Sequence, residues 1–262
     1  MRLIITAGGT TERIDRVRKI KNTGTGKLGS LIAEAFVALY GDRIEKVYYV
    51  CEKETIVPKL DCLEEVNIEG VESAEAALTH ILKTDKIDAV VHSMAVSDYT
   101  VDRLSTTADL AEFIAHRLSE CIQGDFNDEE ALADFIEQCI EANNKLINRD
   151  KKVGSNIKDL TIFMKQTPKL ISMFKDMQPD IVLVGFKLLN NVEKEELLSV
   201  AMELMKKNAC DFVFANDSSQ ITEEAHVGYL LDPAATYTRL ETKAQIAEEI
   251  ARSVTALLDK RS

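Results

Sequence analysis

"RLIITAGG", residues 2–9, and "IKNTGTGKLG", residues 20–29, decide how this chain is read. The first is a short apolar run ending in two glycines, the pattern of a buried strand that leads into a turn. The second carries three glycines and two threonines directly before an apolar helical run. From Lys27, "KLGSLIAEAFVALYGD" puts Leu28, Leu31, Ile32, Ala35, Phe36 and Leu39 on one helical face, and Gly41 ends it. A strand, a glycine-rich turn and an amphipathic helix open an α/β fold. In such folds ligands sit beyond the carboxyl ends of the strands, where glycine lets a backbone come close and adopt positive φ.

The pattern continues outward. "KVYYV" is a second strand, "SAEAALTHILKT" a helix with Ser73 as its N-cap, and "DAVVHSMAVSDY" a buried strand followed by a polar turn. Later come "LTIFMK", the helix "PKLISMFKDM", the strand "DIVLVGF", the helix "EKEELLSVAMELMKK" and the strand "DFVFAND". The pattern ends on "VGYLLD" and a long helix from about Thr242 to Leu258. Apolar strands alternating with amphipathic helices predict a Rossmann-like α/β fold, a mostly parallel sheet with helices on both faces.

Residues 101–148 interrupt this alternation. Leu110, Phe113, Ile114, Leu118 and Ile122 share one helical face; Leu132, Phe135, Ile136, Cys139 and Ile140 share another; the turn "QGDFND" separates them. The expectation is a helical hairpin inserted in a single domain spanning 1–262, either packing on the sheet or a partner subunit, or acting as a lid.

Composition narrows the function. The chain has 262 residues, 45% of them hydrophobic, enough for one large core. A net charge of -12 argues against a general nucleic-acid binder. No apolar run reaches about 18 residues, so no membrane span is expected. "MRLIITAGG" lacks signal-peptide organisation, so a cytoplasmic location is expected. The five cysteines form no CxxC pair and read as reduced thiols; the four histidines show no metal-ligand spacing, and no metal-ligating residues are expected.

Four strand ends and one loop carry candidate chemistry. Gly8 and Gly9 follow the first strand. Gly24, Gly26 and Lys27 precede a helix whose first amides favour an anion, with Thr23 and Thr25 adding hydroxyls. "GTGKLG" fits the GxGxxG dinucleotide spacing, but it does not directly follow a strand, and the P-loop pattern is absent. These glycines serve either loop flexibility or anion binding; the neighbouring Arg13, Arg16 and Arg18 favour the anion. "SMAVSDYT", residues 93–100, offers small residues, among them Ala95, and Asp98, either a ligand acceptor or a turn cap. "RDKKVGSN", residues 149–156, offers two lysines beside a glycine, which alone read as solvated charges. "GFKLLNN", residues 185–191, offers Phe186 for stacking and Asn190 or Asn191 for polar edges, and "FANDSSQI", residues 214–221, is another polar strand end. Converging at one edge of a sheet, these loops make a site.

"ITAGGTTERIDRVRKIKNTGTGKLG", then "MAVSDY", "KVGS", "VGFKLLNN" and "FANDSS", in this order, resemble the phosphopantothenate–cysteine ligase family. Its pattern is close to ITAGGTxExIDxVRxISNxSSGxMG, AAVSDY, K-I-x-S, VGFxxET and ANDxS. The resemblance covers nearly the whole chain except 101–148. It implies amide formation between 4'-phosphopantothenate and L-cysteine in coenzyme A synthesis, through an acyl-nucleotide, with CTP more expected than ATP, Mg²⁺ required and a homodimer. It assigns catalysis to Asn22 and Lys152, with Lys151 as the alternative if the register slips by one. It assigns the nucleotide to Gly8, Gly9, Ala95, Asp98, Lys152 and Phe186, and the substrate to Arg18, Asn22, Thr25, Gly26 and Lys27. This chain departs from the pattern at Lys21 for serine, at "GTG" for SSG, and at "GFKLLNN", which lacks the glutamate. Bacterial relatives are usually fused to a flavin-dependent decarboxylase; this chain has only the ligase part and looks like a stand-alone enzyme. Two rivals share the fold: an NAD(P)-dependent oxidoreductase, with Glu52 as its ribose acid, and a non-catalytic nucleotide-binding protein.

Overall fold

The computed structural model describes residues 1–121, 128–222 and 225–261 and turns the opening apolar run into an interior strand. The elements are β1 (Arg2–Thr6), β2 (Thr11–Arg13), β3 (Lys19–Lys21), α1 (Lys27–Tyr40), β4 (Lys46–Cys51), β5 (Leu63–Asn67), α2 (Gly70–Thr84), β6 (Ala89–His92), β7 (Tyr99–Thr106), α3 (Thr107–Glu120), α4 (Glu129–Ala142), β8 (Leu160–Gln166), α5 (Leu170–Met177), β9 (Val182–Leu189), α6 (Lys194–Asn208), β10 (Phe212–Ile221), β11 (His226–Leu231), β12 (Tyr237–Leu240) and α7 (Lys243–Arg261). Contacts divide the chain into two compact units. The first is Met1–Thr11, Lys21–Ser97 and Pro168–Ser262; the second is Glu12–Ile20 and Asp98–Thr167.

In the first unit eight strands run in the order β12-β11-β10-β9-β6-β1-β4-β5. The six from β10 to β5 are parallel, and β11 and β12 add an antiparallel edge. Burial on both faces explains their near-continuous apolar sequences. On one face Ile4, Val50, Val90 and Leu183 meet Leu78 of α2, Phe174 of α5 and Leu197 of α6. On the other Leu3, Ile5, Val91 and Val184 meet Phe36 of α1 and Ile250 of α7. The expected Rossmann-like, mostly parallel sheet with helices on both faces is therefore what forms.

The second unit holds an antiparallel pair, β7 with β8, the helices α3 and α4, and a small core of Val101, Leu104 and Val153. Three details of the sequence reading change. The stretch expected to begin a hairpin at residue 101 is strand up to Thr106, and "LTIFMK" pairs with it instead of joining the large sheet. Ile122 and most of the "QGDFND" turn lie outside the described residues. Ser73 is not an N-cap: α2 starts three residues earlier, with Glu69 in that role, so Ser73 lies inside the helix.

Candidate active site

In the first unit the strand order reverses at β1, with β4 and β5 on one side and β6, β9 and β10 on the other, and such a switch point is where ligands bind in open α/β sheets. Beyond the strands the two chains stay paired. The Ala95 amide donates to the Gly8 carbonyl at 2.8 Å, and the Thr10 amide donates to the Ala95 carbonyl at 3.1 Å. Inside, the Thr6 hydroxyl lies 2.9 Å from His92 Nδ1, and Ser93 Oγ donates to the Thr6 carbonyl at 2.7 Å. Asn22 reaches this spot from the second glycine loop. Its Nδ2 donates to the Ala95 carbonyl at 2.9 Å, and its backbone amide donates to Thr10 O at 3.2 Å. The residues Gly8, Gly9, Asn22 and Ala95 thus share one patch.

The two glycine turns pack on each other. A Cβ on Gly24 would stand 2.6 Å from the Gly8 carbonyl oxygen, and one on Gly9 would strike the Asn22 carbonyl. Gly8 and Gly26 have φ of +81° and +79°, and a Cβ on either would collide with the Thr55 side chain. Thr55 therefore sits over both turns, and its neighbour Ile56 donates its amide to Thr25 O at 3.0 Å. Gly29 lets α1 approach β1, since its Cβ would be 2.6 Å from that of Ala7. The glycines seat one backbone against another, and no sequence signal marked Thr55. In Gly24→Ala the methyl group meets backbone, which cannot rotate away. We expect a loss of about 1–3 kcal/mol and a thermal midpoint lower by roughly 2–12 °C. An unchanged melting curve would mean that the turns do not stack.

α1 begins at Lys27, and its N-cap, Gly26, supplies no side-chain cap; Thr25 Oγ1 accepts from the Lys27 amide at 3.4 Å, and Lys27 is exposed. This positive helix end suits a phosphate. Glu52, by contrast, is occupied: its carboxylate accepts from the Thr11 amide (2.6 Å), the Thr11 hydroxyl (2.5 Å) and the Gly70 amide (3.3 Å). The acid that the oxidoreductase reading needs for a ribose is thus a buried staple, and Thr55 covers the glycines that reading needs for phosphates.

At the ends of β9 and β10, Asp217 accepts from the amides of Ser219 (2.8 Å), Asn191 (2.9 Å) and Val192 (3.1 Å). These bonds, that of Ser219 first, lower its carboxyl to about 2. Asn190 accepts from Ser218 Oγ at 2.7 Å. Phe186 is half-buried, its ring 5.6 Å from that of Phe214.

Arg18, Asp98 and Lys152 belong to the second unit. Lys151 and Lys152 are exposed, but the next residue is clamped. Val153 donates its amide to Asp15 Oδ2 at 3.0 Å, and its carbonyl accepts from Arg18 Nη2 at 3.1 Å. Arg18 also donates to Asp15 from Nη2 (2.6 Å) and Nε (3.0 Å), and this pairing holds the Asp15 carboxyl far below the usual carboxylate range. Arg18, expected at the substrate, here fixes the root of the lysine loop. Asp98 is exposed, and its carbonyl accepts from the Thr167 amide at 3.0 Å. The sequence reading also missed Arg149, taken only as part of a lysine loop. Its guanidinium donates to the carbonyls of Val101 (2.6 Å), Asp102 (3.0 Å), Ile14 (3.1 Å) and Arg13 (2.5 Å).

Residues 1–109 and 130–258 match the family model described as the DNA/pantothenate metabolism flavoprotein C-terminal domain. Among curated proteins, the Coenzyme A biosynthesis bifunctional protein CoaBC of Thermococcus kodakarensis is 28% identical over 95% of this chain and 49% of its own length. That of Methanocaldococcus jannaschii is 24% identical over 98% of this chain and 51% of its own. The chain spans about half the length of the curated relatives it matches. The solved DNA/pantothenate metabolism flavoprotein from Streptococcus pneumoniae superposes with a TM-score of 0.75 at 26% identity, covering 98% of this chain and 99% of that one. A Cab2 variant solved in complex with phosphopantothenate-cysteine shares the fold at a TM-score of 0.64 and 18% identity, over 99% of this chain and 86% of that one. A match that runs, with one gap, from the start of β1 to the last turn of α7 leaves one assignment: the chain belongs to the family of the DNA/pantothenate metabolism flavoprotein C-terminal domain.

Proposed function

We propose that this chain joins 4'-phosphopantothenate to L-cysteine, using CTP in preference to ATP, and works as a homodimer. The observation that carries the reading is Asn22, the resemblance's catalytic asparagine, held at the switch point through both its side chain and its backbone. Family membership, the coenzyme A biosynthesis relatives and the phosphopantothenate-cysteine complex of Cab2 support it.

The chemistry follows from a carboxylate being a poor electrophile. The phosphopantothenate carboxylate attacks the α-phosphorus of CTP, a P–O bond breaks, and diphosphate leaves. The cysteine amine then attacks the acyl carbon, loses a proton, and displaces CMP. Lys152 stabilises the charge gathering at phosphorus in the first step. Asn22 hydrogen-bonds the acyl-nucleotide and supports the second. Lys27 and the uncapped start of α1 offer positive charge to a phosphate. Magnesium fits this donor set as an ion carried on the triphosphate, because Glu52 and Asp217 already spend their oxygens on backbone amides and, for Glu52, the Thr11 hydroxyl. Bound there, it would supply Lewis-acid stabilisation of the phosphoryl oxygens.

The reading is tested by diphosphate release from purified protein given 4'-phosphopantothenate and Mg²⁺ with either nucleotide. Release that needs phosphopantothenate and runs faster with CTP is expected; release with neither nucleotide would overturn it. In Asn22→Ala we expect one equivalent of diphosphate per active site and accumulation of acyl-cytidylate, with product formation about 10²-fold slower, the size of losing one positioned donor. Normal product formation by that variant would remove Asn22 from the second step.

A further inference from the structure

Three arginines stand between the two glycine turns, and the reading above uses one. Arg18 is committed to Asp15 and Val153. Arg13 and Arg16 instead line a cavity of about 540 Å³ inside the second unit, together with Ile14, Asp15, Arg149 and Asp150.

Charge accounting gives this cavity its character. Asp15 is neutralised by Arg18. Arg149 is held by four carbonyl oxygens, which orient its guanidinium without cancelling its charge. Arg16 is exposed and pairs with no carboxylate among the described residues. Arg13 has a partner of its own. Leaving Arg13 aside, Arg16 and Arg149 still outweigh the remaining carboxylate, Asp150. This excess of positive charge sits in a chain of net charge -12. Guanidinium groups stay charged at any working pH and match phosphate oxygens in pairs.

We propose that this cavity is an anion site for a diphosphate group, with Arg16 as its ligand, Arg149 as a fixed positive wall and Arg13 adding positive charge to the lining. The shared chemistry is a diphosphate, whether free or part of a nucleotide. The site is tested by titrating inorganic diphosphate, without substrates, into the purified full chain by calorimetry. Wild type, Arg16→Gln, the Arg13→Gln/Arg16→Gln double variant and Lys152→Ala are compared, with melting curves to check that each is folded. Binding is expected to weaken about tenfold in Arg16→Gln and further in the double variant, near 1.4 kcal/mol per tenfold step. It should persist in Lys152→Ala and fall with added salt. A CTP arm separates the sources: displacement of diphosphate from Lys152→Ala assigns the cavity to a nucleotide's phosphates, and no displacement assigns it to free diphosphate; either supports an anion site. Three results would overturn it: no binding to wild type, unchanged affinity in the double variant, or loss of all binding in Lys152→Ala.

Discussion

Diphosphate release with CTP and 4'-phosphopantothenate falls about 10²–10³-fold in Lys152→Ala and stays within a few-fold of wild type in Lys151→Ala. The two lysines are adjacent, both exposed and chemically alike, so their difference must come from the backbone. Val153 supplies it. Asp15 holds its amide and Arg18 its carbonyl, so the chain direction is fixed immediately after Lys152. Lys152 projects from a fixed root, whereas Lys151 is one more peptide away from the clamp. A fixed ammonium stabilises developing charge without reorganising, which a mobile one does not do. Arg18→Ala offers a second readout, because it frees the clamp and should lower release while leaving both lysines in place. Single-turnover diphosphate release measures each variant. Full release from Lys152→Ala would sink the assignment, and a loss confined to Lys151→Ala would shift it by one residue.

Between pH 6.5 and 4 the folded state loses stability, by an amount on the order of 3 kcal/mol that traces chiefly to His92. His92 is buried at the end of β6, its ring edge-on to Phe174 and its Nδ1 beside the Thr6 hydroxyl. Burial lowers its pKa from 6.5 to about 4. The unfolded chain takes up this proton first, so the contribution is complete above about pH 6.5 and disappears as the pH drops toward 4. His226 is lowered in the same direction, by burial first and then by Lys243, and adds to the slope. Asp217, held at about 2, acts in a separate window below about pH 4 and has the same sign. Denaturant unfolding of wild type and His92→Gln at pH 7, 5.5 and 4 checks this. The variant should be less stable at pH 7 and show a shallower fall; equal slopes in the two proteins would mean that His92 is not the titrating group.

Much of the large sheet was legible because parallel strands buried on both faces, such as "KVYYV" and "DIVLVGF", leave unbroken apolar runs. The edge strands were not. β5, "LEEVN", is largely exposed and acidic, and β12, "YTRL", is four residues long with three exposed. β7 escaped because polar residues and a register shift between Val101 and Arg103 hide its alternation. At the site, the glycine turns and Asn22 were visible as local patterns. Thr55 over the turns, the Glu52 staple and, in the second unit, the Arg149 clamp were not, since each joins residues far apart in sequence, which no spacing rule encodes.

The core formed by α1 and α7 sets an order of events during synthesis. Ile32 and Phe36 are buried against Ile246, Ile250 and Val254, made about 200 residues later. At about 5–20 residues per second, that interval is roughly 10–40 s. Throughout it α1 can pack on β1 and β4, which already pair, but the part of its apolar stripe that α7 covers stays open. The nascent protein must carry an unfinished hydrophobic face until its closing helix arrives, and a chain cut before Lys243 would keep that face bare.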